Sequence, residues 1–256
     1  MVSARAAAVV AVLAAFLAGC GGSGAAHEHA APAAVHSVAK RVCRAGVESP
    51  LGSRRRAYAA IARRPLVAFR EPGGAAFARF ERQNVNGVNN VFGVVGVVKA
   101  RSCKAVWYRV QLPMRPNGAV GWIRASGVWV GRVLTRIEID VSARRLVFFR
   151  NGRQVLRATI AVGATATPTP TGRFYVNQRL IPRDPSGPFG PGAIGISAFS
   201  NVLTGWTQGG PVAIHGTNEP WSIGHSVSNG CIRLPNAVLR RLFYAVVAGT
   251  PVIIRA

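Results

Sequence analysis

Short apolar runs broken by glycine and proline dominate this chain, and that pattern restricts it to a mainly β architecture. Apolar residues repeat at helical spacing in one stretch, Leu239, Leu242, Phe243 and Val246. Asn236 stands where it can cap that helix, and Gly249 where it can end it. Elsewhere, residues 66–69, 94–98, 146–149, 155–162, 173–176 and 212–214 have strand length and are separated by turn residues. Residues 136–140 alternate charged and apolar side chains, as a half-buried strand does. Asn151-Gly152 favours the positive φ of a tight hairpin turn. The prolines of Thr167-Pro168-Thr169-Pro170 lack the donors that a ladder needs. Residues 58–61 read as a short helical turn, and 177–195, rich in Pro and Gly, as a long loop of the kind used for functional lids.

The N-terminus carries the export signals. Arg5 is followed by an apolar run, 6–18, too short to span a bilayer comfortably but the right length for a secretory signal. The run ends in Leu17-Ala18-Gly19-Cys20, which resembles a bacterial lipobox. The resemblance implies cleavage after residue 19 and a lipid on Cys20. The expected segments are a signal peptide at 1–19, a lipidated flexible tether at 20–56, a first domain at 57–130 and a second at 131–256. His27, Glu28, His29 and His36 in the tether are too few for a convincing metal set, so no metal or other cofactor is expected.

Charge narrows the partners. The chain has 32 Lys and Arg against 8 Asp and Glu, a net charge of +24, and lysine occurs only at Lys40, Lys99 and Lys104. Such a balance attracts anionic polymers or lipid surfaces. No nucleic-acid reader motif accompanies it and the arginines are scattered, so nucleic acid is not an expected partner. A lipid with a basic protein supplies the two signals that stable membrane attachment requires.

Export also implies an oxidising compartment. With Cys20 set aside, Cys43, Cys103 and Cys231 remain, an odd number. Cys43 and Cys103 share the N-terminal half and can pair, which leaves Cys231 as the candidate free thiol. In the first domain, Trp107-Tyr108-Arg109-Val110, Pro116-Asn117-Gly118 and Gly121-Trp122-Ile123 resemble a bacterial SH3-like β-barrel. That resemblance leaves open whether the domain binds cell wall or simply packs.

The chemistry concentrates in His215-Gly216-Thr217 and Ser228-Asn229-Gly230-Cys231-Ile232-Arg233. A thiol attacks as thiolate, and a nearby imidazole can take its proton. Gly230 leaves room beside the thiol and lets backbone N–H groups face a developing oxyanion. Arg233 can hold a carboxylate through two hydrogen bonds.

These residues resemble the catalytic domain of the L,D-transpeptidases of the YkuD family. The match lies at His215, Gly216, Thr217, Ser228, Gly230, Cys231, Ile232 and Arg233, with support from the Pro-Thr-Pro-Thr-Gly stretch and the closing Gly-Thr-Pro-Val strand. The resemblance implies a β-sandwich or barrel catalytic domain after the SH3-like one. It implies that Cys231 attacks a peptidoglycan stem peptide, forms a thioester, and passes the acyl group to a second stem to give a 3→3 cross-link. His215 is then the base, oriented through the Gly216 carbonyl, and the Gly230 backbone lines the oxyanion hole. Ser228, Asn229 and Arg233 belong to the substrate pocket. The expected setting is extracytoplasmic, membrane-anchored and facing the wall, with a monomeric protein and anionic wall polymers as further partners. One position departs from the family: Asn229 replaces a frequent histidine, and Asn carries no titrating proton. The alternatives are a non-catalytic wall-binding lipoprotein, or a cysteine L,D-carboxypeptidase that trims stems.

Overall fold

Two large β-sheets, a short two-stranded one and a single α-helix make up the described residues, 43–206 and 210–256 of a computed structural model, and these residues pack as one unit. Cys20, the signal segment and His27, His29 and His36 lie outside the described residues.

The first sheet contains β1 (Glu48–Pro50), β2 (Ala57–Ala62), β3 (Leu66–Phe69), β4 (Ala76–Phe80), β5 (Val91–Lys99), β6 (Ala105–Gln111), β7 (Val120–Arg124) and β8 (Val128–Val133). Its order is β4-β3-β7-β6-β5-β2-β8, with β1 added to β5. Ala60, Phe92, Val110, Leu112 and Ile123 form its core. Two expectations change here. Residues 58–61 are strand, because β2 sits between β5 and β8 and gives its backbone groups to both. Alanine's helix preference is weak beside that pairing. Residues 48–50, expected in the tether, pair with β5 instead, and the Cys43–Cys103 disulfide holds the segment just before them against the same sheet.

The second sheet contains β9 (Thr135–Asp140), β10 (Arg145–Arg150), β11 (Arg153–Thr159), β13 (Gly172–Leu180), β14 (Ala193–Phe199), β15 (Pro211–His215), β17 (Ile232–Arg233) and β18 (Pro251–Arg255). The order is β11-β10-β9-β18-β13-β14-β15-β17, and a separate short parallel pair joins β12 (Val162–Gly163) to β16 (Ser226–Ser228). Ile137 and Ile139 alternate inward from β9, and Asn151 and Gly152 take the positive φ their hairpin needs. β13 continues to Leu180, so the expected long loop shortens to 181–192.

The helix α1 (Asn236–Ala245) buries Leu239, Leu242 and Phe243 in the second core. Its N-cap residue is Pro235, and no side chain caps it. Asn236 is turned elsewhere. Val246 is the C-cap, so the helix stops before Gly249. The two cores meet at Tyr175 of β13, packed with Ala59, Val91 and Val133, whose hydroxyl donates to the Val91 carbonyl at 2.9 Å.

Candidate active site

The second sheet brings Cys231 and His215 to one face by strand register. Along β15, Val212 and Ile214 point into the core, so Ala213 and His215 point the other way. β17 pairs in parallel with β15, Ile214 opposite Ile232 and His215 opposite Arg233. Opposed residues share a face. Ile232 therefore enters the core with Ile214, while its neighbours Cys231 and Arg233 join Ala213 and His215. The Cys231 thiol accepts a hydrogen bond from the Ala213 N–H at 3.4 Å.

His215 is buried, and its Nδ1 lies 2.5 Å from the Gly216 carbonyl oxygen. A carbonyl only accepts, so Nδ1 carries the proton and Nε2 is left with a free lone pair. Burial depresses the imidazole to about 4, the charge of Arg233 pushes the same way, and the Gly216 carbonyl opposes them. Burial also raises the Cys231 thiol, against the Ala213 N–H and Arg233, which favour thiolate. At neutral pH the resting pair is thus thiol and neutral imidazole, and proton transfer accompanies attack.

The turn that presents Cys231 is braced from below. Ser228, almost fully buried, donates to the Cys231 carbonyl at 2.6 Å and accepts the Gly230 N–H at 3.2 Å. The Gly230 N–H, expected to line an oxyanion hole, is therefore engaged within the turn. Gly230 has φ +104°, a conformation that favours glycine. Thr169 donates to the Gly230 carbonyl at 3.0 Å and Thr167 to the Ser228 carbonyl at 2.9 Å, so the Pro-Thr-Pro-Thr stretch is the floor of the site. Asn229 is exposed at the turn's tip, and His225, six residues before Cys231, is also exposed. Arg233 pairs with Glu219, while its buried Nε has no acceptor.

Three contributors escaped the sequence reading. The Asn236 side chain accepts the Thr217 N–H at 2.8 Å and donates to the Thr217 carbonyl at 3.0 Å, clamping the His215-Gly216-Thr217 segment to the start of α1. A Cβ at Gly216 or Gly190 would overlap the Asn236 amide oxygen, so both glycines are required by close approach. Phe189, from loop 181–192, packs edge-on against the His215 ring with centroids 4.9 Å apart. Glu219 holds Arg233. The sequence offers no local signal for any of these partners, because each contact is made across the fold.

A buried imidazole and a thiol brought close by neighbouring strands, with a braced glycine turn beneath the thiol, make this the candidate site for nucleophilic thiol chemistry. Residues 134–254 match the family model described as L,D-transpeptidase catalytic domain. The chain is 41% identical over 118 residues to the putative L,D-transpeptidase YkuD of Bacillus subtilis, covering 46% of this chain and 64% of that protein. It is 40% identical over 94 residues to the probable L,D-transpeptidase ErfK/SrfK of Escherichia coli, covering 34% and 26%. Among solved structures, the catalytic domain of the Enterococcus faecium L,D-transpeptidase is 26% identical, with a TM-score of 0.35 over 47% of this chain and 96% of that one. The chain spans less than two thirds of the length of the curated relatives it matches. It carries a YkuD-type L,D-transpeptidase catalytic domain at residues 134–254.

Proposed function

We propose that this protein is a peptidoglycan L,D-transpeptidase that forms 3→3 cross-links through a thioester on Cys231. The observation that carries the reading is the placement of Cys231, immediately before β17 and bonded to the Ala213 N–H of β15, beside the strand that ends in His215, with His215 Nε2 left free by the bond from Nδ1 to Gly216. In the first half-reaction the sulfur attacks the carbonyl of the third residue of a stem tetrapeptide. The thiol proton passes to Nε2. The terminal D-alanine leaves with that proton on its amine, and the acyl group remains on sulfur. In the second half-reaction the side-chain amine of another stem attacks the thioester, loses a proton to His215, and the thiol is restored.

The oxyanion of each tetrahedral state needs a donor beside the sulfur. The Cys231 N–H has no partner among the described residues, unlike that of Gly230, so it takes this role. Arg233, held by Glu219, stands opposite His215 in the strand register, and its positive charge is assigned to a substrate carboxylate. Ser228 acts as the brace of the turn and Asn229 as a polar group at its edge. The first sheet is assigned to an SH3-like domain. The lipobox-like Leu17-Ala18-Gly19-Cys20 supports an extracytoplasmic, lipid-anchored protein.

The test is incubation with purified disaccharide-tetrapeptides followed by mass spectrometry. The expected product is a dimer that has lost one D-alanine, absent with Cys231→Ala. Trimmed tripeptide as the only product would assign the chain to the carboxypeptidases instead, and an unchanged substrate would leave it a binding protein.

A further inference from the structure

Six arginines line one cavity of about 290 Å³: Arg54, Arg55, Arg56, Arg136, Arg173 and Arg255, with Glu138 as its sole carboxylate. A second cavity of about 360 Å³ shares Arg54, Arg56 and Arg173 with it. The two form a continuous trough where the segment before β2 meets β9, β13 and β18. No residue of the Cys231 site lines it. In sequence these arginines are spread over some two hundred positions, and only the fold collects them.

Neutralisation within the trough is incomplete. Glu138 pairs with Arg136 at 2.9 Å and with Arg54 at 3.8 Å. Arg136 is buried, donates through Nη1 to the Arg54 carbonyl at 2.6 Å, and stacks over the Phe149 ring at 4.2 Å, so it is scaffold. Arg255 senses Asp140. Arg55, Arg56 and Arg173 are exposed and have no ion pair among the described residues. Like charges gathered in a concave wall focus their field on the space between them, which an anion relieves. Guanidinium groups match phosphate oxygens two at a time, and all six cations here are arginine, not lysine.

We infer that this trough binds a linear polyanion carrying phosphate groups. Two adjoining recesses that share Arg54, Arg56 and Arg173 can take several phosphates of one chain at once, whereas a flat bilayer surface reaches only the rim. The inference is independent of the acyl-transfer reading, since it uses none of that site's residues.

Inorganic polyphosphate is the probe, titrated calorimetrically into the protein at low and at physiological ionic strength. The triple variant Arg55→Gln/Arg56→Gln/Arg173→Gln should bind at least about ten-fold more weakly, and the slope of log affinity against log salt should shrink by about two to three. Replacing the same three arginines by lysine should restore most of the salt dependence but only part of the affinity. As a control for net charge, Arg79→Gln/Arg82→Gln/Arg101→Gln should bind nearly as the parent does. An equal loss in the control variant would overturn the inference by reducing it to overall charge. So would the absence of binding by the parent protein. Binding to anionic phospholipid vesicles with none to polyphosphate would also overturn it and make a membrane the occupant.

Discussion

At the residue scale the question is which group takes the proton from Cys231. Asn229 cannot, and His225 is exposed and lies outside the β15–β17 pairing that sets His215 beside the Cys231 segment. His215→Ala should therefore slow acylation by about two to four powers of ten, the usual worth of a positioned base. Asn229→Ala should cost only a few-fold, and Asn229→His should be tolerated. Intact mass after carbapenem addition reads all three, and near-normal labelling of His215→Ala would refute the assignment. The buried imidazole makes a second prediction. Its value near 4 means that the neutral, proton-accepting form persists well below the ordinary histidine range, so the acid limb of the acylation profile should fall near pH 4 and not near 6.5. The same depression affects stability. The unfolded chain binds a proton at His215 below about pH 6.5 that the folded chain refuses until about 4, so stability is full above the first value and is lost as pH falls toward the second. The loss is about 3 kcal/mol in size and should vanish in His215→Gln. Urea melts at pH 7 and near pH 4 measure it; equal slopes for parent and variant would contradict the burial of a neutral ring.

At the element scale, the start of α1 does two jobs that sequence patterns usually separate. The helix gives up a side-chain cap, since Asn236 reaches across to Thr217 and locks the segment that carries His215 and Gly216. An unfilled cap costs about 1 kcal/mol, comparable to what each clamp hydrogen bond contributes. Asn236→Ala should consequently lower stability by about 1–3 kcal/mol and, at a temperature where the protein remains folded, slow acylation. Asn236→Asp keeps the acceptor for the Thr217 N–H but loses the donor to its carbonyl, so its acylation rate should lie between the two. If Asn236→Ala melts lower yet acylates at the parent rate, the clamp supports the fold without positioning the base. The Pro-Thr-Pro-Thr stretch works similarly: its prolines keep it out of the ladder, and its threonine hydroxyls then support the Cys231 turn from outside.

At the scale of the whole molecule, the disulfide and the seam between the sheets set how the chain holds together. Cys43 and Cys103 are 60 positions apart, and a closed loop of that size restricts the unfolded chain by about 4 kcal/mol in the chain-entropy model. Cys43→Ser/Cys103→Ser should lower stability by up to that amount and leave Cys231 as the one thiol titrated in residues 43–256. The expected reading in non-reducing peptide maps is a 43–103 link; any link to Cys231 would defeat both the pairing and the nucleophile. The seam rests on Tyr175, whose ring fills the small cluster of Ala59, Val91 and Val133 and whose hydroxyl reaches the first sheet. It is also where the arginine trough opens.

Sequence alone was enough for whatever depends on neighbours along the chain. Short apolar runs between Gly and Pro specify strands, Asn151-Gly152 specifies its hairpin, and Leu239, Leu242 and Phe243 specify one helix, since these follow from local backbone sterics and side-chain period. The candidate site was read differently, from the resemblance of His215-Gly216-Thr217 and Ser228-Asn229-Gly230-Cys231-Ile232-Arg233 to a family pattern and not from local sterics. Residues 58–61 were misread as helical because alanine's local preference is slight and the pairing of β2 with β5 and β8 outweighs it. Asn236 was misread as a cap because a cap and a tertiary clamp use the same amide. Only the tertiary structure decided that Cys231 and His215 share a face, that the Gly230 N–H is already engaged, and that six arginines drawn from distant segments stand in one trough. Those facts depend on strand register and burial, which are set by contacts between residues far apart in the chain.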